Sequence, residues 1–118
     1  MSLFFRMSGV AAVLLAFSGA APEDTTKGLF LYHACQAALV DHPSDEQVRL
    51  GNICFSYIEG FIDGEGPVIK VKFFVGVSYQ EMASTYVHYV QEHKDYLNMS
   101  KGMGLEAALK TKYWHNPK

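Results

Sequence analysis

The sequence predicts an all-α protein, a compact domain of four helices with one long ordered loop. Apolar residues recur at helical spacing in four separate segments. Two of these segments open with a serine followed three residues later by Gln or Glu, the pattern of a helix capping box. Only the segment 68–77 partly alternates as a strand would, and no second segment offers it a strand partner.

The N-terminus is expected to be a leader rather than part of this domain. The 118 residues allow one domain. Arg6 precedes the apolar run 10–17, and the small residues 18–20 follow, which is typical of a signal peptide. The run is too short to span a bilayer, which needs roughly 20 apolar residues. We expect a signal peptide over 1–20 and a mature domain over 21–118; the alternative is a buried N-terminal helix.

The net charge of the chain argues against two classes of binding partner. Without Arg6 the chain keeps 9 basic and 12 acidic residues, a net charge of −3. This balance argues against nucleic acid or an anionic membrane as a partner, because both attract basic surfaces. The acid is concentrated in residues 41–65, whereas four lysines accompany one glutamate in residues 101–118.

The first two helices are expected to form a hairpin. The first begins at a cap on Asp24 or Thr25 and stops at Pro43. The second begins after Ser44 and ends in the glycine-rich turn 64–67. The segment 68–77 follows as the long loop. A third helix begins after Ser78 and runs to about residue 93, and a fourth spans about 100–113.

Cys35 and Cys54 are the only two cysteines of the chain. In an exported protein, two cysteines most simply form one disulfide. A short turn joins their helices, so the helices should pack antiparallel and place the two residues at similar heights. We predict a Cys35–Cys54 bridge. Two buried free thiols are the alternative.

The sequence predicts neither an enzyme nor a metal or cofactor site. His88 and Glu92 lie four apart on a helix, but the other histidines are scattered and no zinc-binding spacing occurs. Cys54 lies on an apolar stripe and has a disulfide partner, which argues against a nucleophile. Asp63 and Glu65 could act as acid and base, but flanking glycines favour a solvated turn.

One segment of the second helix resembles a family signature: Cys54-x-x-Tyr57-Ile58-x-Gly60-x-x-Asp63-Gly64. It is similar to the Cys-x-x-Tyr-Ile-x-Gly-x-x-Asp signature of the Rap/Tai family, periplasmic immunity proteins against type VI secretion effectors. Two further segments resemble the family: Gly76-Val77-Ser78 and Ala107-Ala108-Leu109-x-x-x-Tyr113. Many members have two more cysteines, and the matching positions here are about Lys72 and His115.

The resemblance implies a periplasmic protein that sterically blocks a peptidoglycan amidase effector and forms a homodimer. We expect the loop after the second helix to enter the cleft of the effector. The candidate contact residues are Asp63, Glu65, Lys70, Lys72, Phe73, Phe74 and Tyr79. For Phe73 and Phe74 the alternative is that they fold back onto the core.

The signature itself has an expected structural role, carried by Tyr57, Gly60, Asp63 and Gly64. We expect Gly60 to let a neighbouring helix approach closely, and Gly64 and Gly66 to shape the turn that follows. A different function is also open: a small periplasmic acid-stress chaperone with one disulfide, in which histidines and carboxylates sense pH.

Overall fold

The computed structural model describes residues 23–114, so the predicted signal peptide and His115 lie outside the described residues. This part of the chain is all α-helical, as predicted, with no β-strand beyond one isolated bridge between Lys27 and Ser100. Its helices are α1 (Gly28–Ala37), α2 (Asp45–Glu65), α3 (Pro67–Phe74), α4 (Tyr79–Glu92), a 3₁₀ helix (Lys94–Asn98) and α5 (Lys101–Tyr113). No helix within 23–114 combines the length and apolar character that a membrane span requires.

The hairpin of α1 and α2 has the predicted disulfide. The hydroxyl of Ser44 accepts from the backbone N–H of Gln47, and the Gln47 side chain accepts from the N–H of Ser44, so the capping box is complete. Cys35 and Cys54 are fully buried and bonded, with their Cα atoms 5.0 Å apart. The cross-link therefore joins the two helices inside the core.

The core lies where α1, α2, α4 and α5 meet. Tyr86 is its largest fully buried side chain, and its hydroxyl donates to the carbonyl of Gly28 at 3.2 Å. Burial raises the pKa of Tyr86 well above the ordinary value of 10.0, because the phenolate would lose its hydration. The other core side chains with the least exposure are Leu31, Ala34, Ile58, Ile62, Met82, Ala83, Val90, Leu105, Ala108 and Leu109.

Two glycines allow the close packing around α1. A Cβ on Gly28 would overlap the carbonyl oxygen of Tyr96 in the 3₁₀ helix. A Cβ on Gly51 would lie 3.0 Å from the Cα of Ala38, just after α1. Only glycine fits without displacing backbone at these contacts.

The beginning of α1 differs from the sequence prediction. Asp24 caps no helix; its carboxylate accepts from the N–H of Thr26 at 2.9 Å and from the Thr26 hydroxyl at 2.6 Å, in a turn that precedes the helix. Lys27 is the N-cap and has no side-chain cap. Instead, the N–H of Gly28 donates to the carbonyl of Met99 at 2.8 Å, which ties the start of α1 to the segment before α5.

The prediction of a long loop after α2 is wrong, because most of that segment is helix α3. Gly66 ends α2 with φ +96°, and Pro67 begins α3 at its first position, where its fixed φ suits a helix and its missing N–H costs nothing. The β-branched residues 68, 69 and 71 imitate a strand pattern. Gly76, with φ +81°, lies in the short link to α4.

Candidate functional site

The predicted contact residues gather at one corner of the molecule. The end of α2, the whole of α3, the first turn of α4 and the last residues of α5 meet there. We call this region, made of residues 57–65, 66–79 and 113–114, the α3 corner. The end of α5 therefore lies at this corner, where the sequence predicts only the loop after α2.

One face of α2 at this corner is open at Gly60 and Gly64, and Asp63 on the same face pairs with Lys70 of α3. Glu59, Gly60, Asp63 and Gly64 are all exposed. A Cβ placed on Gly60 or Gly64 would meet no atom within 4 Å. The prediction that Gly60 admits a neighbouring helix is therefore wrong within this chain, and Gly64 lies inside α2 rather than in the turn. The positive φ that the turn needs is supplied by Gly66.

The signature tyrosine has a contact with α5. The ring of Tyr57 is half-buried, and the ammonium of Lys101 lies 4.8 Å from its centroid. Burial raises the pKa of the Tyr57 hydroxyl. A Cβ on Gly102 would lie 2.9 Å from that hydroxyl oxygen, so α5 packs tightly against Tyr57. Tyr57 therefore helps to hold α2 against α5, which is a structural role.

Charged groups at the corner are paired and solvated. The ammonium of Lys70 on α3 donates to Asp63 on α2 at 3.1 Å, across the Gly66 turn. That hydrogen bond, followed by the charge of the carboxylate, raises the pKa of Lys70. Glu65 is half-buried at the end of α2. Lys110 of α5 has a raised pKa, first because it donates to Glu106 and then because negative charge, including that of Glu65, lies near it.

The two phenylalanines of α3 have different environments. Phe74 is only 4% exposed and meets Tyr113 edge-on, with centroids 5.9 Å apart, so its predicted place on an exposed contact surface is wrong. Phe73 is half-buried and stacks on Trp114 at 5.4 Å. Lys72 is exposed, with its ammonium 5.4 Å from the Phe73 centroid. Phe73 and Lys72 remain available at the surface.

Trp114 is a corner residue that sequence reasoning missed. It is the single tryptophan of the chain, which was the one signal available. Its ring is half-buried against Phe73, and the ammonium of Lys110 lies 4.8 Å from its centroid. The neighbouring Tyr113 donates to Glu81 of α4 at 2.8 Å and lies 2.9 Å from the Thr85 hydroxyl. These contacts fasten the end of α5 to α3 and α4.

A cavity of about 340 Å³ opens at the corner between α2, α3 and α4. Three core side chains, Ile62, Phe74 and Met82, form its apolar wall. Lys70 and Tyr79 line it together with Val77 and Ser78. The Ser78 hydroxyl accepts from the N–H of Glu81 at 3.0 Å and so caps α4. We call this space the corner cavity.

A second groove of about 270 Å³ lies between α4 and α5. It is lined by Ser84 and His88, whose Oγ and Nδ1 atoms are 3.4 Å apart, and by Glu92. A catalytic serine needs a base that a third group orients, and the contacts of residues 23–114 show no such third group for His88. The described residues also hold no group of three or more His, Cys, Asp or Glu side chains placed to bind a metal.

Comparison with known proteins adds no relative. No protein-family model matches the chain, and neither a curated protein nor a solved structure matches it. The similarity to the Rap/Tai signature remains a hypothesis from the sequence.

Proposed function

We propose that this protein is an exported immunity protein that binds a secreted peptidoglycan amidase and blocks its active cleft. The α3 corner is the surface that makes the contact. Asp63 and Phe73, with Lys72, are the contact residues within it. The protein itself performs no chemistry.

One observation carries the proposal: only one side of the family-like segment of α2 packs against the rest of the described chain. Cys54 and Ile58 are fully buried, and Tyr57 packs against α5. Gly60 and Gly64 face open space, next to the exposed Asp63. Open glycines inside a helix lower its stability by roughly 1 kcal/mol each relative to alanine. A use outside the fold explains why a helix keeps them.

The bare face is suited to close contact with another protein. Without side chains at Gly60 and Gly64, a partner backbone can approach the α2 axis directly. Val68 in the first turn of α3 and Val75 just after its end are 74% and 75% exposed and add apolar area to the α3 corner. Apolar anchors surrounded by polar groups are the usual source of binding energy in protein interfaces.

The proposal is tested by mixing the purified protein with a secreted amidase encoded beside its gene. Amidase activity on isolated peptidoglycan should fall in proportion to the added protein and vanish near a fixed stoichiometric ratio. Light scattering on the same samples reports the mass of the complex. It also tests the homodimer that the resemblance implies. Full amidase activity in excess protein would refute the proposal.

The chaperone alternative makes a different prediction. An acid-stress chaperone would suppress aggregation of an unrelated client at low pH and show no preference for the amidase. Light scattering of an acid-denatured client, with and without the protein, separates the two functions.

A further inference from the structure

We propose that the corner cavity binds a ligand with an apolar body and a single carboxylate, which pairs with Lys70. The proposal goes beyond the proposed function, because it concerns a ligand of the corner cavity and not the contact with the effector. It is tested without any effector, so the two proposals can fail separately.

The first argument is the size of the cavity and its apolar wall. Ile62 and Met82 are each 1% exposed and Phe74 is 4% exposed, yet all three line a space of about 340 Å³. Val77 adds a fourth apolar side chain to this lining. An apolar cavity of roughly 150 Å³ is known to hold benzene, so an aromatic ring or a short alkyl chain fits here together with a polar head group.

The second argument is that the polar side chains of the lining offer hydrogen-bond donors. Among the described residues that line the cavity, Lys70 is the one with a charged side chain, and it is a cation. The hydroxyl oxygen of Ser78 accepts from the N–H of Glu81, which leaves the O–H of Ser78 to donate. The hydroxyl of Tyr79 makes no hydrogen bond to another residue within 23–114. A head group that accepts hydrogen bonds and is negatively charged therefore matches this lining.

The third argument concerns Asp63, with which a ligand shares Lys70. The ammonium of Lys70 donates one hydrogen bond to Asp63 at 3.1 Å, and the side chains of Lys70 and Asp63 are 48% and 56% exposed. An exposed pair of this kind is weak, and an ammonium has three N–H donors, so two remain for a ligand. Because one shared cation balances at most one further negative charge, the lining favours a carboxylate over a doubly charged phosphate.

The test uses three probes and methyl NMR spectra of the purified protein with its disulfide intact. Hydrocinnamate joins an aromatic ring to a carboxylate through two carbons, phenethylammonium joins the same ring to a cation through two carbons, and propionate lacks the ring. We expect hydrocinnamate to shift the methyl signals of Ile62 and Met82 in a saturable way. Phenethylammonium should bind about fivefold more weakly, the ratio of a surface ion pair, and propionate should leave both methyl signals unchanged.

Two pairs of variants locate the head group. Lys70→Met should remove the preference for hydrocinnamate over phenethylammonium, whereas Lys94→Met, beyond the opposite end of α4, should keep it. Asp63→Asn should strengthen hydrocinnamate binding about threefold, because Lys70 is then no longer shared. Asp41→Asn, before the far end of α2, should not change hydrocinnamate binding. All four side chains are exposed, so the variants should fold like the parent.

A fourth probe distinguishes the two sources of such a carboxylate, a free acid and the C-terminus of a protein chain. N-acetylphenylalanine has the skeleton of hydrocinnamate with an added amide, as at a chain end. Tighter binding of N-acetylphenylalanine than of hydrocinnamate assigns the cavity to a chain terminus, and weaker binding assigns it to a free acid.

Three results would overturn the proposal. One is that no probe produces saturable shifts at Ile62 and Met82. The second is that phenethylammonium binds as tightly as hydrocinnamate. The third is that Lys70→Met keeps the full preference for hydrocinnamate.

Discussion

Two regions of the molecule use glycine in opposite ways. Around α1, Gly28 and Gly51 are pressed against the backbone of Tyr96 and Ala38. At the α3 corner, a Cβ on Gly60 or Gly64 would meet no atom of the described residues within 4 Å. In the first region, glycine makes close packing possible. At the α3 corner, glycine lowers the stability of helix α2 and makes no packing contact that would compensate.

The difference separates a region whose residues pack within the fold from a region whose surface is open; on the proposed function, the open surface binds the effector. The region around α1, which we call the tight region, also contains the disulfide and the buried Tyr86. The corner has exposed Val68 and Val75, a solvated ion pair and a cavity that reaches the core. Substitutions in the first region should therefore change stability, and substitutions on the outer face of the corner should change binding.

The largest expected change in stability tests which phenylalanine of the α3 corner belongs to the core. Phe74→Ala should lower the free energy of unfolding by about 3 to 5 kcal/mol, because Phe74 is buried. The neighbouring Phe73→Ala removes a half-buried ring stacked on Trp114 and should cost about 1 kcal/mol. Urea unfolding of both variants measures the difference. Equal losses of unfolding free energy would show that Phe73 contributes to the core as much as Phe74 does.

The next effect concerns the cross-link in the tight region. Replacing both Cys35 and Cys54 by alanine should lower stability by about 3 kcal/mol, since the bond closes a loop with a sequence separation of 19. Non-reducing peptide mapping checks that the bond is present in the parent protein. A melting temperature that does not change in the double variant would contradict the assigned role.

A smaller effect compares the glycines directly and differs in sign. Gly28→Ala should destabilise the protein by about 1 to 3 kcal/mol, because the new methyl group meets the Tyr96 carbonyl. Gly60→Ala should stabilise it by about 0.5 to 1 kcal/mol, because the methyl group meets no atom and alanine favours the helix. Thermal unfolding measures both. A loss of stability in Gly60→Ala would mean that the α2 face is covered.

The smallest effect is a pH dependence of the unfolding free energy that arises from Tyr86. The pKa of Tyr86 is raised by burial, so the unfolded chain loses this proton near pH 10 while the folded chain keeps it. The stability contribution is therefore complete below about pH 10 and falls as the pH rises from there. Tyr86→Phe should reduce the alkaline slope of the unfolding free energy. An unchanged slope would contradict the assignment; the absolute stability of the variant is not the criterion, because it also loses the hydrogen bond to Gly28.

Sequence patterns predict the α1–α2 hairpin of the tight region but not the start of α1, whose N-cap is Lys27. The serine cap at residue 44, the apolar stripes and the pair of cysteines are local or countable signals, and the α1–α2 hairpin and the Cys35–Cys54 bond agree with them. The corner was harder to predict. Partial strand-like alternation in residues 69–73 concealed helix α3, although Pro67 was a start signal.

Two features of the fold depend on tertiary contacts, which leave little trace in the sequence. Trp114 lies some 40 positions beyond Phe73 in the chain, yet their rings stack. Helical spacing places Gly51 on the buried face of α2 with Cys54 and Ile58, and Gly60 on the opposite face. The contact of Gly51 with Ala38 is what the sequence does not show, because it depends on where the neighbouring helix lies.

The most direct test of the account is inhibition of the amidase by a Gly60→Arg variant, with Gly60→Ala as its matched control. Arginine is a good helix former, and a Cβ at this position meets no atom of the described residues within 4 Å, so the melting temperature of both variants should equal or exceed that of the parent. On the proposed interface the arginine side chain collides with the effector, and inhibitory affinity should fall about thirtyfold or more, as at an interface hot spot. A stable Gly60→Arg protein that inhibits the amidase at full strength would contradict the claim that this face binds the effector.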